Sequence, residues 1–158
     1  MNATKQCSSF SYVLRRLALM ALAAVFMVHG AQAAAPWATL EAIHQLENPH
    51  DRPTPGSRGE LGPYQFREST WRMHTAIPFA RAIDRRVSDA VAVKHYEWLR
   101  RGLEDAGLPA TPYNVALAWN SGLSATVLGR APAIARDYAE RAANLAEAFD
   151  AARLADRR

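Results

Sequence analysis

The sequence predicts a mainly α fold, and three observations carry that expectation. Apolar residues return at intervals of three and four over most of the chain, proline and glycine fall where helices need to start and stop, and strand-like alternation is nearly absent. A first helix opens at Pro36 and sets Leu40, Ile43 and Leu46/Glu47 on one face. Between Asn48 and Gly62 the chain carries Pro49, Pro53, Pro55, Gly56, Gly59 and Gly62, which forbids a long regular element and predicts a loop or short hairpin after the first helix. A second helix is expected near Glu68-Ser69-Thr70, carrying Trp71, and Pro78 interrupts the stretch beyond it. Ser88 reads as the N-cap of a long helix with the stripe Ala92, Tyr96, Leu99, Leu103 and Ala106, ended by Gly107 and Pro109. Thr111-Pro112 pairs a capping side chain with a proline at the first helical position, and Gly122 stops that helix after Asn120-Ser121. Pro132 opens the last helix, with Ile134, Tyr138, Leu145 and Phe149 along one side.

Residues 1–33 read as a cleavable signal peptide. Lys5, Arg15 and Arg16 precede an apolar run from Leu17 to Val28, followed by Ala31-Gln32-Ala33, a small-x-small cleavage site. A run of that length is too short to span a bilayer comfortably, so a retained anchor is the lesser alternative and no stable membrane span is expected after leader removal. The expected mature chain, residues 34–158, has room for one domain with its own core. Its predicted location is outside the cytoplasm, in a periplasm or the extracellular space.

Losing the leader removes three of the 19 Lys and Arg and none of the 15 Asp and Glu, so the formal charge falls from +4 to +1. No basic excess then remains to neutralise many phosphates, which excludes a nucleic-acid reading built on bulk charge. The single cysteine, Cys7, lies in the leader, so the mature chain is expected to hold neither a disulfide nor a thiolate metal cluster. His44 and Glu47 share a His-x-x-Glu spacing, but His50, His74 and His95 are scattered, and no zinc pattern of three or four spaced ligands is present. Gly-x-Ser-x-Gly is missing, and Gly59-x-x-Gly62 does not run on into a phosphate loop. No metal and no cofactor are expected.

Glu47 is the candidate catalytic residue. A carboxyl group at the end of an apolar helix is poorly solvated as an anion, so its pKa should rise toward the working pH and allow it to donate a proton. Gly59 and Gly62 supply turn conformations closed to other residues, let a ligand approach the backbone, or do both at once. Gln65 offers an amide that donates and accepts, and Tyr64 offers a ring and a hydroxyl, for a bound ligand or for the core. Three further carboxylates stand near Glu47 in sequence: Asp51 suits a turn, Glu68 suits a helix start, and Glu60 is either a solvated loop charge or part of a site.

Glu47, then Gly59-x-x-Gly62-x-Tyr64-Gln65-Phe66, then Ala118-Trp119-Asn120-Ser121-Gly122 together resemble the lytic transglycosylases of the lysozyme-like superfamily. That family shows Glu-Ser at a helix end, then Gly-Ala-x-Gly-Leu-Met-Gln, and later Ala-Tyr-Asn-Ala-Gly, in the same order and with similar spacing. Tyr64-Gln65-Phe66 and Ser69-Thr70-Trp71 are also similar to the resuscitation-promoting factors, whose wall-lytic domain shares that fold. The resemblance runs from about Leu40 to Val127 and fades in the last helix. This chain departs from the family pattern at Asn48, Glu60, Pro63-Tyr64, Trp119 and Ser121.

The resemblance implies a lysozyme-like single domain that cuts the sugar backbone of peptidoglycan strands. Glu47 would protonate the glycosidic oxygen and then deprotonate the 6-hydroxyl of the muramic sugar, closing a 1,6-anhydro ring without water. Gln65, Tyr64, Asn120, Gly62 and Glu60 would line the sugar-binding groove. Asn120 has a plainer account as part of a helix terminus. Trp119 is expected in the core or as a groove wall; Tyr113 and Tyr138 are candidate groove aromatics, although helical spacing favours the core for both. Three alternatives stand beside transglycosylation: a hydrolytic muramidase with Glu60 or Asp51 activating water, a glycan-binding module without turnover, and a structural wall protein that keeps only the scaffold.

Overall fold

A computed structural model describes residues 36–157. The leader expected over residues 1–33, with Cys7, lies outside them. The described chain is mainly helical, in the order α1 (Pro36–Glu47), α2 (Glu68–His74), a 3-10 turn (Phe79–Ile83), α3 (Arg85–Asp105), α4 (Pro112–Ser121), α5 (Leu123–Val127) and α6 (Ala133–Ala155). The expected hairpin after the first helix is reduced to an isolated antiparallel bridge, Leu61 with Phe66. No helix among the described residues is long and apolar enough to cross a membrane.

The core forms around α3, whose buried stripe Val91, Ala92, His95, Tyr96, Leu99 and Leu103 follows helical spacing. Ile43 from α1, Phe66 and Trp71 close over it, together with Val115 from α4. Trp71 is fully enclosed and donates its indole N–H to the Ile77 carbonyl at 2.7 Å, which satisfies the one polar atom that its burial would otherwise leave unpaired.

Two boundary expectations are corrected. The N-cap of α3 is Asp84, whose carboxylate accepts from the Arg86 and Val87 amides at 3.1 and 3.3 Å. Ser88 is instead buried in the first turn, its hydroxyl unpaired among the described residues. An ionised acceptor at the helix start outcompetes a hydroxyl one turn later because it satisfies two free amides and complements the helix dipole. In α6 the predicted stripe holds at Tyr138, Leu145 and Phe149 and fails at Ile134, which is 77 % exposed, while Ala135, Ala139, Ala142 and Ala146 join the buried face. Alanine supplies much of the packing on this face. Ala146 meets Ala38 and Ala42 of α1, and Ala135, Ala139 and Ala142 pack with Ala116 and Leu117 of α4. Small side chains bring these backbones close, and that closeness sets α6 against the end of α1. At Thr111, the expected cap is present, its hydroxyl accepting from the Asn114 amide at 3.2 Å.

Candidate active site

Helix α1 ends at Glu47 because the following backbone turns onto a loop that Asn48 pins. The Asn48 amide accepts from the Arg52 N–H at 3.0 Å and donates to the Arg52 and Gly62 carbonyls at 2.9 and 3.3 Å. It ties the loop after the acid to the glycine ribbon. The ribbon closes through paired Leu61–Phe66 backbone hydrogen bonds of 3.0 Å around a tight turn whose Gln65 amide donates to the Gly62 carbonyl at 3.1 Å.

Gly62 is a turn residue here, and it is not among the residues that line the two cavities beside Glu47. Its φ is +78°, and a Cβ on it would lie 1.8 Å from the Ala82 carbonyl oxygen. Both the turn and the 3-10 segment behind it therefore demand glycine. Gln65 also takes a left-handed φ of 44°, which is uncommon outside glycine and marks a site held by its surroundings. Its Nε2 donates to the Gly62 carbonyl at 2.9 Å, leaving its Oε1 free of hydrogen bonds among the described residues.

Glu47 and Gln65 stand between two cavities. The larger, about 550 Å³, is also lined by Glu60, His95, Trp119 and Asn120. The smaller, about 340 Å³, continues past Asn48, His50 and Arg52. A linear ligand lying in both would cross Glu47. The Tyr138 hydroxyl donates to Glu47 Oε1 at 2.8 Å, while Oε2 has no hydrogen-bond partner among the described residues. Burial pushes the Glu47 carboxyl above the usual carboxylate range, and the negative Glu60 adds to that rise. The Tyr138 hydroxyl, which favours the anion, opposes both without cancelling them.

Glu60 shifts the other way. Burial would raise its pKa, but the Arg58 amide, which donates to Oε2 at 2.9 Å, its own amide, and the Arg67 and Arg58 guanidinium groups hold it below the usual range. Arg67 lies 3.6 Å from Glu60 Oε1. Two carboxyls on one cavity therefore sit in environments that drive their ionisation apart, the separation of roles that acid–base pairs need. Gly56, which the sequence marked only as a loop residue, makes room for this arrangement. A Cβ there would lie 2.7 Å from Glu60 Oε2 and 2.8 Å from Gln65 Oε1.

Of the residues singled out in the sequence, Glu47, Gln65, Glu60 and Asn120 come together on the larger cavity. Asn120 is exposed there at the end of α4, with no side-chain hydrogen bond among the described residues. Tyr64 does not join them. It is buried beneath the ribbon, donates its hydroxyl to Asp89 Oδ1 at 2.8 Å and packs against Phe66 and Trp119, so core packing replaces the expected sugar contact. Trp119 is at once a core neighbour of Phe66 and a cavity wall. Asp51 faces away from Glu47 in a left-handed turn, with Oδ1 2.9 Å from His44 Nε2 and Oδ2 3.8 Å from Arg85, which leaves it no part on either cavity. Glu68 pairs with Arg72 at 2.6 Å on the exposed face of α2.

Sequence reasoning named Tyr138 and His95 but missed that Tyr138 bonds the acid and that His95 lines the cavity. Tyr138 lies 91 residues from the acid that it touches. Nothing local marks that contact, and only the alanine seam of α6 could have hinted that the helix runs against α1. Among the described residues no group of three or more His, Cys, Asp or Glu side chains is arranged to hold a metal ion. Compared with protein-family models, with curated proteins and with solved structures, the chain gives no significant match to any of them.

Proposed function

We propose that this protein cleaves the glycan backbone of peptidoglycan, with Glu47 as the proton donor, in a lysozyme-like domain that acts outside the cytoplasm. The observation that carries this reading is Glu47 itself: a carboxyl group with a raised pKa and one free oxygen, set where two cavities meet, so that a polymer bound in both presents a bond between sugars to the acid. Breaking a glycosidic bond requires protonation of the leaving oxygen as oxocarbenium character develops, and a carboxylic acid whose pKa burial raises holds its proton to higher pH than an exposed one, which serves that need. Gln65 Oε1 and the Asn120 amide supply neutral hydrogen-bonding groups on the same cavity. A mainly helical domain with the acid closing its first helix and a glycine ribbon facing it agrees with the lysozyme-like reading.

In the favoured course Glu47 acts as acid and then as base, removing the proton from the 6-hydroxyl of the muramic sugar so that an anhydro ring closes. The second course is hydrolysis, and Glu60 is the observation in its favour: an ionised carboxylate on the same cavity is equipped to activate water. Digestion of purified wall material and mass measurement of the products separates the two, because anhydro ends are one water lighter than reducing ends. The transglycosylase course predicts anhydro ends from wild type and from Glu60→Gln, and no products from Glu47→Gln. Reducing ends that vanish in Glu60→Gln would assign hydrolysis. Binding of glycan strands without product release would make the protein a binding module, and turnover by Glu47→Gln equal to wild type would end the catalytic assignment.

A further inference from the structure

The wall of the larger cavity holds a titratable group that proton donation by Glu47 does not use. His95, on α3, is only 7 % exposed, yet it lines that cavity. Aromatic rings hold its imidazole on several sides. Trp98 stacks on it at 5.7 Å and 12°, Trp119 meets it edge-on at 4.7 Å, and Phe66 at 6.1 Å. Its Nδ1 is engaged by His74 Nε2 at 2.9 Å. Nε2 makes no hydrogen bond among the described residues and is not one of the fully enclosed unpaired atoms, so it is the polar atom that the ring offers to the cavity.

The chemistry of this position is narrow. Burial drives the His95 pKa down to about 3, and the neighbouring His74 adds to that fall, so the ring is neutral and attracts no carboxylate by charge. If His74 donates to Nδ1, Nε2 carries the proton and is a donor; if Nδ1 donates, Nε2 is an acceptor. An acetamido group, with its C=O and N–H, satisfies either case. A hydroxyl does so too, but Trp119 and Phe66, which pack against the His95 ring and line the same cavity, suit the methyl that only the acetamido group carries.

We propose that His95 is a specificity-determining residue of the cavity, hydrogen-bonding through Nε2 to the acetamido group of an amino sugar whose methyl packs on Trp119 and Phe66. Its role rests on the glycan-cleaving function proposed above. The test measures kcat and KM for wild type, His95→Phe and His95→Gln on wall glycan and on the same glycan after chemical de-N-acetylation, with melting curves for each protein. Wild type is expected to prefer the acetylated strand. His95→Phe keeps the ring packing and loses the hydrogen bond, so its KM on acetylated glycan should rise about tenfold, the size of one neutral hydrogen bond. The loss should fall mainly on KM, and the ratio of kcat/KM on acetylated to de-N-acetylated strand should drop about tenfold with it. His95→Gln, which retains an amide, should recover part of the loss. An unchanged preference in His95→Phe, or an equal loss on both strands, overturns the assignment while leaving the cleavage function intact. A wild-type protein that cuts neither strand overturns both.

Discussion

Tyr138→Phe isolates the interaction that tunes the candidate acid. The substitution deletes one hydroxyl from a side chain that is otherwise buried and keeps the ring that packs in the α4–α6 seam. The deleted interaction is a 2.8 Å hydrogen bond to Glu47 Oε1. Donated to an ionised carboxylate, such a bond contributes about 1.5–3 kcal/mol; donated to the protonated acid, about 1 kcal/mol. The difference between those two values is what now restrains the rise of the Glu47 pKa, so its loss moves that pKa further up. Both activity and stability report the change. The alkaline limb of the pH–rate profile, where a general acid loses its proton, should move to higher pH in Tyr138→Phe. The stability loss should depend on pH, approaching about 1.5–3 kcal/mol above the Glu47 pKa and shrinking to about 1 kcal/mol below it. For a domain of ~120 residues a loss of 1 kcal/mol lowers Tm by about 4 °C, so scanning calorimetry resolves the two regimes without any substrate. Superimposable pH–rate profiles together with a Tm loss constant across pH would show that the phenol does not tune the acid.

Glu47→Gln should be more stable than wild type at neutral pH and indistinguishable from it in acid. The folded-state pKa of Glu47 lies above its unfolded value, so the carboxyl favours the folded state only while protonated and disfavours it as pH rises, whereas glutamine keeps an acceptor for Tyr138 and needs no ionisation; denaturant titration at two pH values checks this. His95 acts with the opposite sign. Its folded pKa of about 3 lies below the unfolded value, so the stability it permits is complete above about pH 6.5 and falls by about 1.4 kcal/mol per pH unit on acidification toward 3, a slope that should flatten in His95→Phe. Gly62→Ala should cost about 2 kcal/mol or more, because left-handed strain adds to the 1.8 Å overlap with the Ala82 carbonyl, and a melting curve within 2 °C of wild type (roughly 0.5 kcal/mol) would contradict that geometry.

Much of the helical layout was legible because helix periodicity and punctuation are local properties. Pro36, Thr111-Pro112, Gly107 and Gly122 mark boundaries within a few residues of where the helices start and stop. The long α3 stripe needed only spacing, although its start did not: Ser88 and Asp84 are both good capping residues, and which one serves depends on how the preceding 3-10 turn delivers the chain. The alanine seam was not legible for a related reason. A small side chain carries little hydrophobic signal of its own, so a seam of Ala135, Ala139, Ala142 and Ala146 looks neutral until two neighbouring helices are present to fill the space against it.

By itself the sequence determined that the chain is mainly helical, that a carboxyl group ends the first helix, and that a glycine ribbon comes after it. Those are consequences of backbone preferences acting over a few residues. The tertiary structure alone decided that Tyr138 reaches Glu47, that Tyr64 turns inward to Asp89 while Glu60 turns toward the acid, and that His95 shows one nitrogen to the cavity. Proton affinity and accessibility depend on burial and on charges that arrive from distant parts of the chain, and neither exists until the helices pack.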